Sequence, residues 1–387
     1  MKQTLLSLIG SVGMILIFHI HAHGQEDEWS AIEVSMDQDF FADFLHDDPV
    51  EAYNYTAALR IGIYGEIANH TYLGLPFVRQ KIDGWLVDRI IDYSDLRFEK
   101  ESHNFVFTVN GFSPAFISDE TELFWDTLAQ GYRLEDDLRF ASFTGFRSSR
   151  RIELSKSIAH YARQFDLAVT TSFTFGFASL GIVRCVENLL GSNRPDGNLW
   201  RRDDDKVYPT GQLNHTMAPL FMYSVSVENV LWRPFKRVLL QWRPEVNLGY
   251  YADIGVGLDF GKVMNTDRFI DNLAYTDTHN PGLVSISDKE FAFSLVGGAV
   301  VRAVFYNAHI NGMFGWNKGQ EYAWGESRRY LIEGYVGMKM QFFHKLELNF
   351  SINTRSPALA DTDAPFASWG TVGLKWLLGA SGEGCYD

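Results

Sequence analysis

The sequence predicts an all-β protein: a single transmembrane antiparallel β-barrel of about 12 strands, with a short helix on the extracellular-loop side. From about Leu167 to Ala178, apolar side chains alternate with small or polar ones, and the same alternation recurs along most of the chain. Such alternation is typical of a strand with one apolar and one polar face. Aromatic residues make up 15% of the chain, and outer-membrane barrels use them as girdles at both membrane interfaces.

The N-terminal segment is typical of a secretory signal peptide. Lys2 supplies the positive charge, and the apolar stretch from Leu5 to Phe18 is too short for a membrane-spanning helix. We expect cleavage between Gly24 and Gln25, because small residues precede that bond. The sequence therefore predicts a signal peptide at residues 1–24 and an integral outer-membrane barrel domain at residues 25–387.

The strand-like segments share a period of two residues and are separated by turn signals. In one of them Trp242 and Leu248 lie on one parity, whereas Arg243 and Glu245 lie on the other. A polar lumen behind a lipid-facing wall requires that arrangement. The clearest segments are Ala31 to Phe41, Tyr55 to Glu66, Asn104 to Phe112, Leu138 to Arg147, Leu167 to Ala178, Val238 to Leu248, Leu346 to Asn353 and Phe366 to Leu378.

The segments between strands predict which side of the membrane each connection occupies. Phe342 to Lys345 joins two strands with almost no loop, as a periplasmic turn would. The longer polar stretches Gly191 to Gln212 and Asn265 to Asp288 are predicted to be extracellular loops. Leu180 to Leu190 has rough helical spacing and is followed by Gly191, so it predicts the short helix.

Charge and missing motifs exclude several function classes. The net charge of -14 argues against nucleic acid as a partner. The chain has no Gly-x-Ser-x-Gly, His-Glu-x-x-His or Cys-x-x-Cys motif, so serine-triad, zinc-peptidase and redox chemistry lack support. Gly255, Gly257 and Gly261 do not form a dinucleotide fingerprint, and we expect them to make room for side chains along a strand.

Two short clusters of polar residues are candidates for a functional site. Asp37, Gln38 and Asp39 end the first predicted strand, and oxygen ligands at this spacing can hold calcium; a solvated strand end is the alternative. Thr56 begins the second strand, which should form a hairpin with the first and so bring this hydroxyl near the acidic residues. A plain lumen hydroxyl is the alternative for Thr56.

In order and spacing, several motifs resemble those of the outer-membrane lipid A 3'-O-deacylase family. They lie before about Trp200, although the general layout covers most of the mature chain. The matching pieces are Gln38-Asp39, Tyr55-Thr56-Ala57-Ala58, Phe112-Ser113-Pro114, a loose match at Asp137 to Phe143, a run from Gly176 through Gly181 to Glu187 followed by Leu189-Leu190-Gly191, and Pro195, Gly197 and Trp200.

The resemblance implies a twelve-stranded barrel that removes an acyl chain from lipid A in the outer leaflet by calcium-dependent ester hydrolysis. Asp39, with Asp37 and Gln38, would then hold calcium (Ca2+), Thr56 would position the ester or the metal, and Glu187 would act as general base. Lipopolysaccharide would be the partner, and the protein would be a monomer.

This chain departs from the family at the positions that matter for catalysis. Glu187 stands where the family has its catalytic histidine, Asn193 falls near a family carboxylate, and Gln38 replaces an asparagine. A glutamate with an ordinary pKa near 4.3 is a weak base at neutral pH. Hydrolysis, a non-catalytic barrel that binds lipid A or serves envelope assembly, a passive channel, and a secreted soluble β-protein therefore remain competing hypotheses.

Overall fold

The computed structural model describes residues 30–38, 57–69, 74–92, 97–112, 123–126, 131–134, 141–157, 164–178, 201–202, 205–206, 218–235, 238–264, 290–308, 327–343, 345–357 and 366–378. The strands in these ranges are β1 (Ser30–Gln38), β2 (Ala57–Tyr64), β3 (Arg97–Phe112), β4 (Leu123–Asp126), β5 (Gly131–Leu134), β6 (Ala141–Ser157), β7 (Gln164–Ala178), β8 (Arg201–Arg202), β9 (Asp205–Lys206), β10 (Ala218–Phe235), β11 (Val238–Gly249), β12 (Tyr251–Met264), β13 (Phe291–Asn307), β14 (Tyr330–Phe342), β15 (Leu346–Arg355) and β16 (Ala367–Leu378). The helices are α1 (Glu66–Asn69) and α2 (Leu75–Asp92).

Twelve of these strands close into one antiparallel barrel, which confirms the predicted fold class. The order around the barrel is β1-β16-β15-β14-β13-β12-β11-β10-β7-β6-β3-β2, and the pairing of β1 with β16 closes it. The remaining short strands form two separate hairpins, β4 with β5 and β8 with β9. Within the described ranges, no helix has the length and apolar composition needed to cross a membrane.

The alternation of side chains along the strands matches the two faces predicted from the sequence. On β11, Arg243 and Glu245 are buried inside the barrel, whereas Trp242 and Leu248 are exposed on the outer wall. On β16, Lys375 is buried inside and Trp376 is 53% exposed outside. An antiparallel wall with polar residues inward and apolar residues outward is the arrangement of a membrane barrel.

Glycines on β12 leave room for large side chains in the lumen, as expected. A Cβ atom at Gly257 would lie 2.8 Å from Cγ2 of Val300 and 3.3 Å from Nη2 of Arg243. At Gly255, the same atom would lie 3.0 Å from Oε1 of Glu245. Small residues here let the charged side chains lie against the inside of the wall.

A tighter contact occurs where Gly145 on β6 faces Gly176 on β7. A Cβ at Gly145 would lie 2.6 Å from the Phe175 carbonyl oxygen and 2.8 Å from the Cα of Gly176. We expect Gly145→Ala to lower the free energy of unfolding by about 1–3 kcal/mol, since backbone on the neighbouring strand cannot move away cheaply. Urea unfolding in detergent would measure the loss. In the control Gly334→Ala the nearest atom would be 3.4 Å away, and an equal loss there would contradict the steric explanation.

Strand direction assigns each connection to one of two barrel ends. We call the end where β1 begins and β16 ends the terminal end, and the opposite one the loop end. The short turn between β14 and β15 lies at the terminal end, as do the connections from β6 to β7 and from β10 to β11. In outer-membrane barrels the short turns typically face the periplasm. Most short turns here lie at the terminal end, although the turn between β11 and β12 lies at the loop end and the long β2–β3 and β12–β13 connections lie at the terminal end.

This topology corrects one loop prediction. Met264 of β12 pairs with Phe293 of β13 near the terminal end, so the stretch from Asn265 to Asp288 leaves the barrel there. Gly191 to Gln212 instead lies between β7 and β10, whose pairing places that connection at the loop end. The two stretches cannot both be extracellular. Length and polarity suggested one side for both, but in an antiparallel barrel the number of preceding strands decides it.

The two described helices lie in the connection between β2 and β3, at the terminal end. In α2, Leu75, Arg79, Asp83 and Val87 are buried and follow one another at intervals of four, so they share one helix face. That face packs on the outer wall rather than in the lumen, because its partners on β6, β7 and β10 have the outward parity. The helix predicted at Leu180 to Leu190 lies outside the described residues, as does the predicted signal peptide.

Candidate functional site

The first predicted site residue that can be placed is Asp37, near the loop end of β1. Its carboxylate is 1% exposed and accepts hydrogen bonds from both terminal nitrogens of Arg60 on β2. The bond from Nη1 to Oδ1 is 2.9 Å long. Both carboxylate oxygens of Asp37 therefore face a buried guanidinium, which is the strong two-point form of this ion pair.

The other predicted site residues stand at or beyond the limits of the described chain. Gln38 is the last residue of β1 and pairs with Ala57 of β2 and Gly370 of β16. Asp39 and Thr56 adjoin that pair in sequence but lie outside the described residues. Ser113, Glu187 and Asn193 also lie outside them, so the roles assigned to these residues stay predictions.

Among the described residues, no three histidine, cysteine, aspartate or glutamate side chains converge to hold a metal ion. The acidic side chains in the lumen are instead paired with cations.

Between β11 and β14 the lumen contains a network of buried ion pairs. Arg243 donates from Nε to Asp259 at 2.9 Å and from Nη1 to Glu245 at 2.8 Å. Arg302 joins the network through Glu245, and it also pairs with Asp253 at 3.2 Å and with Glu333 at 2.8 Å. Five of these six side chains are no more than 5% exposed, and Glu333 is 21% exposed. These charged side chains pair between nearby strands along the inside of the wall and are largely shielded from water.

A second group of lumen charges lies beside the seam where the barrel closes. The Lys375 ammonium lies 3.4 Å from Glu33 and 3.6 Å from Glu347. The Tyr64 hydroxyl donates to Glu33, and the ammonium lies 4.5 Å from the centre of the Tyr64 ring. Buried ion pairs therefore line the lumen from β11 to β14 and again beside the seam between β16 and β1.

The outer wall carries an unexpected polar group beneath α2, which we call the wall cluster. Its centre is Asp83, which accepts hydrogen bonds from the Tyr223 hydroxyl at 2.8 Å and the Thr171 hydroxyl at 3.0 Å. Nε of Arg79 lies 3.6 Å from the same carboxylate, and both of these helix side chains are fully buried. The wall cluster comprises Arg79, Asp83 and Asp88 of α2 with Glu101, His103, Arg150, Thr171 and Tyr223 of the wall.

Arg150 links the helix to β3 at the edge of the wall cluster. Its guanidinium donates twice to Glu101, at 2.7 and 3.0 Å, and once to Asp88 at 2.9 Å. His103 lies 2.9 Å from Glu101 through Nε2 and 3.3 Å from Nη2 of Arg79 through Nδ1. Beside these polar contacts, Val87 of the helix packs in an apolar cluster with Ile152, Leu154 and Val169 of the wall.

Burial shifts the proton equilibria of the two central helix residues. The pKa of Asp83 is raised by burial, an effect opposed by the Tyr223 hydrogen bond and by the charge of Arg79. Burial likewise lowers the pKa of Arg79, while the nearby Asp83 carboxylate opposes that shift. The two charges therefore support each other in a place where either one alone would be costly.

The sequence contains a signal for the wall cluster that periodicity alone did not reveal. Thr171 interrupts the apolar parity of β7, and Arg150 interrupts that of β6. A polar residue on a lipid-facing parity needs a partner from outside the barrel. The apolar residues of α2 are spread around the helix rather than along one side, so the segment lacks an amphipathic pattern.

Comparisons with known proteins agree on the fold. No family model and no curated protein sequence matches the chain. LpxR from Salmonella typhimurium has a similar structure, with a TM-score of 0.56 and 13% sequence identity over 89% of this chain and 99% of that one. The β domain of the Bordetella autotransporter BrkA gives a TM-score of 0.36 at 8% identity, covering 90% and 98% of the two chains.

The fold thus defines the class of the protein as a membrane-embedded β-barrel of the outer-membrane type. Within that class its architecture is LpxR-like. At 13% identity, this likeness describes the fold and no more.

Proposed function

We propose that the protein is an outer-membrane hydrolase of lipid A that cleaves an acyloxyacyl ester in the outer leaflet. The observation that carries the proposal is the combination of an LpxR-like closed barrel with deacylase-like motifs in matching order along the chain. LpxR is a lipid A deacylase. The β1–β2 hairpin brings the strand ends next to Asp39 and Thr56 together at the loop end, where an outer-leaflet substrate would be reached.

The chemistry assigned to the site is hydrolysis with a carboxylate base. Glu187 would take a proton from water as the water oxygen attacks the ester carbonyl carbon, and would return it to the leaving oxygen when the carbon–oxygen bond breaks. The products are a free fatty acid and a hydroxyl group on lipid A. For this role at neutral pH, the pKa of Glu187 must lie above its ordinary range, through burial or a neighbouring carboxylate.

The calcium part of the proposal rests on fewer ligands than the sequence suggested. Asp37 does not fit a calcium site, because the Arg60 guanidinium occupies both carboxylate oxygens and would repel a cation. Gln38 and Asp39 are left as the proposed ligands. We therefore treat calcium dependence as a separate arm of the test.

The decisive experiment is mass spectrometry of lipid A from cells with and without the protein, in the presence and absence of calcium. We expect loss of one acyl group from lipid A when the protein is present. Glu187→Gln and Asp39→Asn should abolish that loss, whereas Glu290→Gln, an exposed carboxylate at the terminal end, should leave it unchanged. Undiminished deacylation by Glu187→Gln would remove that residue from the mechanism.

A second candidate function is a barrel that binds lipid A without cleaving it. Two observations favour it: Glu187 stands in place of the family histidine, and Asp37 is paired with Arg60. Unchanged lipid A in cells that contain abundant folded barrel would support this function over hydrolysis. The buried ion pairs that line the lumen between β11 and β14 argue against the third hypothesis, a passive channel.

A further inference from the structure

We infer that the outer face of α2 is a membrane-contact surface, which lies in the phospholipid leaflet at the terminal end of the barrel. Its occupant is lipid: acyl chains against the aromatic side chains and phosphate groups near the cations. The inference is independent of the proposed hydrolysis, since it concerns the opposite end of the barrel.

The first argument is the position of α2 on the wall. One row of paired residues includes Arg150 and Thr171 beneath the helix. From Thr171 the row continues across β10 to β13 and ends at Tyr330, the first residue of β14, which lies at the loop end. From Arg150 it continues in the opposite direction to His103 on β3, which lies at the terminal end, one residue beyond the last β2–β3 pair. The row therefore crosses β6 and β7 in the half of the wall nearer the terminal end. Its members are His103, Arg150, Thr171, Val225, Val246, Ile254, Ala303 and Tyr330.

The second argument is the distribution of side chains around the helix. A helix on the surface of a water-soluble protein packs its apolar residues inward and exposes its charges. In α2 the buried face contains Arg79 and Asp83, whereas Phe77 is 61% and Trp85 is 65% exposed. The buried face also holds Leu75 and Val87, and the exposed face also holds Lys81, so the helix is mixed rather than reversed. Exposed aromatic side chains above a buried ion pair are expected where the surroundings on the outer side include hydrocarbon.

The third argument is the composition of the exposed face. Aromatic side chains with nearby lysine and arginine are typical of helices that lie in the membrane interface. The Lys81 ammonium lies 5.3 Å from the centre of the Phe77 ring, and Arg89 is exposed in the last turn. Long basic side chains of this kind can reach lipid phosphates while their stems stay in apolar surroundings.

The fourth argument is continuity with the lipid-facing wall. The helix covers outward side chains of β6 and β7 that would otherwise contact lipid, among them Ile152, Leu154 and Val169. On β10, Phe221 and Leu231 have the same outward parity and are 51% and 54% exposed. The helix surface therefore extends an apolar surface that the barrel already presents to the bilayer.

The test uses a fluorescent probe attached to the helix in reconstituted vesicles. In a Cys185→Ser and Cys385→Ser background, Trp85→Cys is labelled with an environment-sensitive dye and placed in phosphatidylethanolamine–phosphatidylglycerol vesicles. Doxyl-labelled phospholipid reports contact with lipid, and iodide reports contact with water. Val256→Cys on the exposed wall of β12 is the lipid reference, and Glu290→Cys is the aqueous reference.

We expect doxyl lipid to quench the probe at position 85 to an extent comparable with position 256. Iodide quenching should be lower than at position 290 by about twofold or more. A probe at position 85 that behaves like the one at position 290 would overturn the inference. Resistance to both quenchers would overturn it too, because protein would then cover the face; cross-linking would identify a second copy of the chain as the cover.

Discussion

We expect Arg243→Met to lower the free energy of unfolding of the barrel by about 3–5 kcal/mol. The guanidinium lies between Asp259 and Glu245, and it is 3% exposed. Methionine keeps much of the volume but removes the charge, so Asp259 is left in a dry environment without its cation, whereas Glu245 keeps its pairing with Arg302. The cost is the penalty of an uncompensated buried charge rather than the net strength of one ion pair.

Urea unfolding in detergent, together with heat-modified migration on a gel, would measure this loss. The double variant Arg243→Met with Asp259→Leu serves as the control, because it removes a charge of each sign. It should recover part of the lost stability, although the Tyr335 hydroxyl, which donates to Asp259 at 3.0 Å, loses its acceptor. Equal stability of Arg243→Met and the unaltered protein would mean that the lumen charges are hydrated rather than sealed.

The second large effect is expected from Asp83→Leu, which should release α2 from the wall. The change removes the only carboxylate that accepts from both Tyr223 and Thr171 among the described residues, and it leaves Arg79 buried without its helix partner. We expect a docking penalty of about 3–5 kcal/mol, because a cation remains in a buried place without its counter-charge. The barrel itself should stay closed, since no strand pairing involves α2.

Trypsin provides a direct readout, because Lys81 and Arg89 are exposed on α2 but sit in a docked helix. Cleavage after these residues should become several-fold faster in Asp83→Leu, with migration of the folded barrel unchanged. Gln80→Leu is the matched control, since it places the same residue on the exposed face of the same helix. If both variants are cut at the same rate, the wall cluster is not what holds the helix.

The strands were predictable because successive residues of a membrane-barrel strand face lipid and lumen in turn, so apolar and polar residues alternate along the sequence. On β11, the polar residues Gln241, Arg243 and Glu245 alternate with Trp242 and Pro244. The start and the two faces of that strand agree with the prediction, and its end lies one residue further along, at Gly249. Extensions such as Arg97 to His103 at the start of β3 were missed because charged and polar residues occupy both parities there. The helix α2 covers this part of the outer wall, and this explains why charged residues of β3 such as Glu101 occupy outward positions. The sequence of β3 alone contains no sign of that cover.

The side of the membrane on which each loop lies, and the contacts of the candidate site residues, were harder to predict from the sequence than the strands were. The stretches Asn265 to Asp288 and Gly191 to Gln212 were assigned to the same side although they leave opposite ends of the barrel, because a polar loop looks alike on either side of a membrane. Of the predicted site residues, Asp37 illustrates a second limit: its acidic neighbours suggested a metal, while its actual partner, Arg60, lies 23 positions away along the chain. Pairing between strands decides which of several equally plausible partners a carboxylate meets.

The location of α2 has a consequence for how the chain assembles. Asp83 is synthesised long before its partner Tyr223, from which it is separated by 140 positions, and bringing such distant segments together costs loop-closure entropy. The surface on which α2 packs is incomplete until β10, the sixth barrel strand along the chain, has joined the sheet. Docking of α2 therefore requires β10 to be in place, and a partly assembled barrel that lacks this strand must carry the charged segment undocked.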